Sequence, residues 1–172
     1  GVDDAGAVMG KRPYLQANAQ PTRVARMYAI LGNDRGSPAI FGLMRRATLQ
    51  RTHLIGGYDA SDQVLLVDLA MQGEFVELPD WLYFHREHDQ RSVNAYRDRH
   101  AANKWFATHN RGKTTFPEWR LMREYLRVIG RAPCGSGERW RCLMQFLRWA
   151  KYQRRYRRLG EDLIIAARGV KK

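Results

Sequence analysis

The residues best suited to chemistry lie in one short run, Gly56-Gly57-Tyr58-Asp59-Ala60-Ser61-Asp62. A glycine turn that delivers a carboxylate to the start of a helix places it among backbone N–H groups that have no intrahelical acceptor. Those donors, with the positive end of the helix dipole, favour the ionised form. An ionised, oriented carboxylate can take a proton from an attacking hydroxyl. Asp62 is therefore the first candidate base. The same spacing also fits a plain helix cap made by Ser61 or Asp62, and the residues alone leave both readings open.

A second constellation is Tyr83-Phe84-His85-Arg86-Glu87-His88. His85 and His88, with Glu87 between them, have the donor types for a divalent ion, and Arg86 has the geometry to meet a phosphate. The spacing matches no strong zinc pattern, and a polar strand end with solvated charges accounts for it as well. His53, His100 and His109 stand alone in the sequence and are assigned no role.

The third feature is charge. Lys and Arg number 30 against 17 Asp and Glu, a formal net charge of +13. The excess is concentrated late, because residues 131–172 hold 12 basic and 3 acidic side chains. Trp140, Leu143, Met144, Leu147 and Ala150 mark an apolar helical face there, widened by Phe146 and Trp149. Arg139, Arg141, Arg148, Lys151, Arg154, Arg155, Arg157 and Arg158 supply a basic side. Such a segment can lie on an anionic bilayer, track a nucleic-acid backbone, or pack on a core with its basic face in water. A non-enzymatic basic binding module for nucleic acid or an anionic membrane surface is the alternative function this composition allows.

Several classes are disfavoured. The sequence contains no P-loop, no G-x-G-x-x-G and no G-x-S-x-G motif. No apolar run approaches the roughly 20 residues of a membrane span. Val2-Asp3-Asp4 is acidic where a secretory signal would be basic. Cys134 and Cys142 allow at most one disulfide and cannot form a zinc site alone, which points to a reducing compartment. At 172 residues the chain suits one domain with a real core.

The elements that must position these residues follow from period and punctuation. Thr22 caps a helix whose Val24, Met27, Tyr28 and Leu31 share a face and which Gly32 ends. Pro38–Met44 is a short apolar run of the buried-strand type, and Arg45–Arg51 a brief helix. Asp62–Gln72 is a helix stopped by Gly73. Glu74–Pro79 alternates like a half-buried strand, and Trp81–Arg86 is aromatic and strand-like. Ser92–Phe106 reads as helix and 108–115 as polar connection. Pro117 opens a helix to Ile129, and Ser136 caps one last long helix.

Taken in order, these segments resemble the second half of a family 2 glycosyltransferase. The likeness is carried by Phe41-Gly42-Leu43-Met44-Arg45-Arg46, by Thr52-His53-Leu54-Ile55-Gly56-Gly57-Tyr58 and by Ser61-Asp62-Gln63-Val64-Leu65-Leu66. It continues through Gly73–Pro79 and Leu82–His88, and Phe116-Pro117-Glu118-Trp119-Arg120 is similar to the tails of bacterial, often actinobacterial, members.

The resemblance implies an α/β fold leaning to α+β: part of a GT-A, Rossmann-like mixed sheet with flanking helices and a helical C-terminal tail. Residues 1–115 would form the acceptor-side part of that domain and 116–172 a basic amphipathic extension. The implied activity is inverting transfer of a sugar from a nucleotide-diphosphate donor to the hydroxyl of a glycan or lipid-linked acceptor, with Mg or Mn on the diphosphate.

Asp62 then stands where the family places its catalytic base, and Ser61 replaces the acidic partner of that Asp. Gly56 and Gly57 match the glycine turn near donor and acceptor. His88 matches a metal or diphosphate ligand, with Arg86 and His85 assisting. The family's nucleotide-binding half and its Asp-x-Asp motif have no counterpart before Pro21. With Gly1 rather than Met in first place, the chain is expected to be a C-terminal piece of a longer enzyme, inactive alone. The expected location is cytoplasmic, at the inner membrane face.

Overall fold

A computed structural model of the chain describes residues 2, 5–10, 20–32, 37–84, 86 and 116–169. Among them are six α-helices and one 3-10 turn at Pro38–Phe41. The helices are α1 (Arg23–Leu31), α2 (Arg46–Leu49), α3 (Ser61–Gln72), α4 (Pro117–Arg131), α5 (Ser136–Tyr152) and α6 (Arg155–Gly169).

The centre of the bundle is α3. Val64 through Met71 are buried without a break, so this helix is apolar on nearly every side and needs cover all round. The cover comes from α1 and α4, with α5 packed on both of these and α6 folded back across α4 and α5. Tyr125 of α4, with Phe146 and Trp149 of α5, forms an aromatic cluster with ring centroids 5.6 to 5.7 Å apart. The Trp149 indole N–H donates to the Leu31 carbonyl at 2.8 Å and so closes the end of α1.

Polar residues finish the helix ends. Thr22 accepts the Ala25 N–H at 3.2 Å, the N-cap its position predicts. Two arginines of α1 serve the far end of α3: Arg26 Nε donates to the Ala70 carbonyl and Arg23 Nε to the Met71 carbonyl, both at 3.0 Å. These carbonyls lie in the last turn, where cations are favoured. Arg23 also pairs with Glu138 of α5 at 2.8 Å, tying three helices together.

The mixed α/β sheet expected from the sequence is contradicted. Among the described residues there is no strand ladder; isolated bridges join Val2 with Val8 and with Arg86, and Phe75 is a single bridge residue. Pro38–Phe41 is a 3-10 turn, not a buried strand, with Phe41 and Leu43 exposed. Glu74–Pro79 and 81–84 belong to no strand, and Val76, Leu78, Leu82 and Phe84 are exposed. The physical reason lies in α3: the helices around it cover its apolar surface, so no face is left for a sheet to pack against.

The last long helix is in fact two. The chain breaks at Gln153-Arg154, where Arg154 takes a left-handed backbone (φ 51°) and its N–H donates to the Lys151 carbonyl. The N-cap of α5 is Gly135, with Ser136 the first helical residue. The helix expected over Ser92–Phe106 lies outside the described residues. No helix among those described is long and apolar enough to cross a membrane.

Candidate functional site

The turn before α3 is held from beneath. Tyr58 is buried against Gly56 so closely that a Cβ on residue 56 would enter its ring, which is the local reason for glycine there. The Tyr58 N–H donates to the Gly56 carbonyl at 2.9 Å, and the Ser61 N–H to the Tyr58 carbonyl at 3.3 Å. Ala60 then enters the left-handed region (φ 62°) and starts α3 without a side-chain cap. A non-glycine residue held there carries strain that the surrounding packing must offset.

Asp62 therefore stands in the first turn of α3. Its Oδ1 accepts the N–H of Gln63 at 2.8 Å, one of the donors the helix start leaves unpaired. The capping reading is right to this extent. Among the described residues its other carboxylate oxygen carries no hydrogen bond. The neighbouring Gln63 is fixed on both sides: its Oε1 accepts from the Tyr125 hydroxyl at 2.9 Å, and its Nε2 donates to the Ile30 carbonyl at 3.4 Å. Ser61 is buried beneath the turn.

Cations reach this turn from α4. Arg120 lies over the Tyr58 ring, its Cζ 4.6 Å from the centroid, a cation–π contact. One of its Nη atoms reaches toward the Gly57 carbonyl at 3.5 Å, while its Nε is buried and has no hydrogen-bond partner among the described residues. One turn on, Glu124 is buried and paired with Arg127 at 3.1 Å. These charges converge on the Tyr58 hydroxyl. Burial and then Glu124 push its pKa up to about 12, with Asp62 adding to the rise and Arg120 and Arg127 opposing it. Tyr125 is pushed up as well, first by its burial.

The same face of α4 continues to a second cluster. Arg131 Nη1 donates to His53 Nε2 at 2.6 Å, and His53 Nδ1 lies 3.1 Å from Asp68 Oδ2. An arginine can only donate, so Nε2 carries the lone pair and Nδ1 the proton that goes to Asp68. Asp68 Oδ2 also accepts the His53 backbone N–H at 3.1 Å. His53 is thus an oriented imidazole bound to a buried carboxylate, not the isolated residue of the sequence reading.

Asp62, Ser61, Gly56 and Gly57 are brought together, as the sequence order implies. Arg86 is exposed, and its backbone bridge is to Val2. His85 and His88 lie outside the described residues. Among those described, no group of three or more His, Cys, Asp or Glu side chains is placed to hold a metal ion. Sequence reasoning missed Arg120, Glu124, Arg127 and Arg131, whose i, i+4, i+7, i+11 spacing marks one helical stripe; that period was the available signal. No protein-family model matches the chain, and neither a curated protein nor a solved structure does.

Proposed function

We propose that the chain is the acceptor-side part of an inverting glycosyltransferase that uses a nucleotide-diphosphate sugar, with Asp62 as its base. The observation that carries this reading is the Asp62 carboxylate itself: anchored through one oxygen at the start of a buried helix, with no hydrogen bond at the other among the described residues, and preceded by a turn over which Arg120 of α4 lies. The ordered likeness of residues 41–66 and 73–88 to family 2 glycosyltransferases supports the same assignment.

In this reading the acceptor hydroxyl gives its proton to Asp62 as its oxygen bonds to the anomeric carbon. The bond from that carbon to the diphosphate oxygen breaks, and the diphosphate leaves with the electron pair. Guanidinium groups are suited to the charge that builds on it, and Arg120 of α4 lies over the turn that precedes Asp62. A divalent ion would add Lewis-acid stabilisation of the same oxygens. His88, which the resemblance assigns to that ion, is outside the described residues, so every step here runs through the chain's own side chains.

The test is release of nucleoside diphosphate when the chain, together with the nucleotide-binding part this reading requires, meets a panel of nucleotide-diphosphate sugars, with Mg or Mn and with glycan and lipid-linked acceptors. Release that depends on an acceptor supports the reading. Two negative results together contradict it: no release with any donor, and no donor-dependent shift of the Gly57–Gln63 amide resonances.

A further inference from the structure

Helix α5 has two faces of opposite fate. Cys142, Phe146 and Trp149 turn into the core. On the opposite side Trp140, Met144 and Leu147, at i, i+4 and i+7, are 61, 40 and 47% exposed. Residues so spaced form one stripe along a helix. Arg141 and Arg148, one heptad apart, run along one side of it, and Lys151 stands at its end. All three cations are exposed, and none is ion-paired among the described residues. Beyond the break at Arg154, α6 adds exposed Arg157 and Arg158, with Tyr156 and Leu163 exposed before and after them.

We infer that this face of α5 docks on an anionic lipid bilayer, with Trp140, Met144 and Leu147 entering the acyl boundary and Arg141, Arg148 and Lys151 meeting the headgroups. The arrangement suits that surface for two reasons. An aromatic and aliphatic stripe beside basic side chains whose stems can reach upward is the pattern of helices that lie in a membrane interface. The charge is complementary as well, since residues 131–172 carry 12 basic against 3 acidic side chains. A nucleic-acid backbone would satisfy the cations and leave Met144 and Leu147 without a partner. A second copy packed face to face would set the same three cations against their equivalents.

The experiment is co-sedimentation of the whole chain with vesicles of phosphatidylcholine alone, or of phosphatidylcholine with one quarter phosphatidylglycerol. Binding is expected only to the anionic vesicles and is expected to weaken as salt rises. Neutralising Arg141, Arg148 and Lys151 to Gln should lower partitioning by about fivefold per residue, on the order of a hundredfold together. The pair Trp140→Ser and Leu147→Ser should lower it about tenfold or more per residue. Leu43→Ser, which changes a fully exposed leucine elsewhere, should leave it unchanged.

Circular dichroism establishes that each variant keeps its helices. Three results overturn the inference. One is equal binding to both vesicle types. A second is binding to anionic vesicles or to duplex DNA that falls with the Gln variants and ignores the Ser pair. The third is a concentration-dependent dimer in sedimentation velocity that the Ser pair abolishes.

Discussion

Asp162 Oδ2 accepts the backbone N–H of Glu118 at 2.8 Å, although the two residues stand 44 positions apart. The bond caps the start of α4 from the side of α6, where Pro117 supplies no donor and Phe116 no capping side chain. The Glu118 carboxylate, fully buried, pairs in turn with Arg155 at 3.3 Å. Arg155 also lies over the Trp149 ring at 4.7 Å. Asp162 in the middle of α6 and Glu118 at the start of α4 thus fix the return of α6 onto the body of the protein and hold the start of the helix that carries Arg120.

Asp162→Ala should therefore cost about 1 to 2 kcal/mol, the range for losing a helix cap. Glu118→Ala should cost about 1 to 3 kcal/mol, because the buried carboxylate that meets Arg155 at 3.3 Å is lost. Urea denaturation with an unchanged m-value is the measurement. Losses below about 0.5 kcal/mol, typical of ordinary surface positions, would show that α6 is not anchored there.

Gly56→Ala should destabilise the protein by about 1 to 3 kcal/mol, because the added methyl meets the Tyr58 ring and the packed turn must move. Gly130→Ala is the opposite case. That glycine lies within α4 with open space around its Cα, so alanine should stabilise by up to about 1 kcal/mol. Thermal unfolding of the two variants side by side gives the sign. Equal behaviour would contradict the close approach of Tyr58 to residue 56.

Alkaline pH should unfold the chain through its buried acids. Burial and Glu124 raise the Tyr58 phenol from 10 to about 12, and burial and Cys134 raise the Cys142 thiol from 9 to about 11. The folded state then holds both protons more tightly than the unfolded state. Their contribution is complete below pH 9 and is lost as pH rises from 9 to 12. Denaturation midpoints across this range should fall for the native chain, and fall less for Tyr58→Phe between pH 10 and 12. Parallel curves would show that Tyr58 is not shielded as described.

Trp149→Phe keeps an aromatic ring beside Tyr125 and Phe146 but removes the donor to the Leu31 carbonyl. The buried carbonyl loses its 2.8 Å partner, a cost of about 1 to 3 kcal/mol. Stability measured by guanidinium denaturation tests this, and a change within about 0.5 kcal/mol would contradict it.

How much of this the residues disclose depends on the range of the interaction. Thr22, Gly32, Pro117 and the run Val64–Met71 act within a turn or two, and they mark α1, α3 and α4 directly. The alternation at Glu74–Pro79 misleads, because a period of two says which side chains share a face and nothing about whether a neighbouring strand exists. The split between α5 and α6 is hidden for a similar reason: Gln153-Arg154 contains no glycine or proline, and the return of α6 is fixed by Asp162 and Arg155 meeting Glu118 across some forty residues. Asp62 could be placed from the glycine turn. Arg120 could not, since its approach to Tyr58 depends on how α4 packs against α3. His53 reads as isolated because its partners, Asp68 and Arg131, lie 15 and 78 positions away.

The most direct test of the account is the turnover of Asp62→Asn in the donor-release assay, made in the intact enzyme with wild type beside it. The substitution keeps the oxygen that accepts the Gln63 N–H and removes the capacity to take a proton. The account predicts a fall in kcat of about a thousandfold with donor affinity and helical content unchanged. A variant that retains activity within a few fold of wild type would contradict it, because Asp62 would then serve only to accept the Gln63 N–H in the first turn of α3.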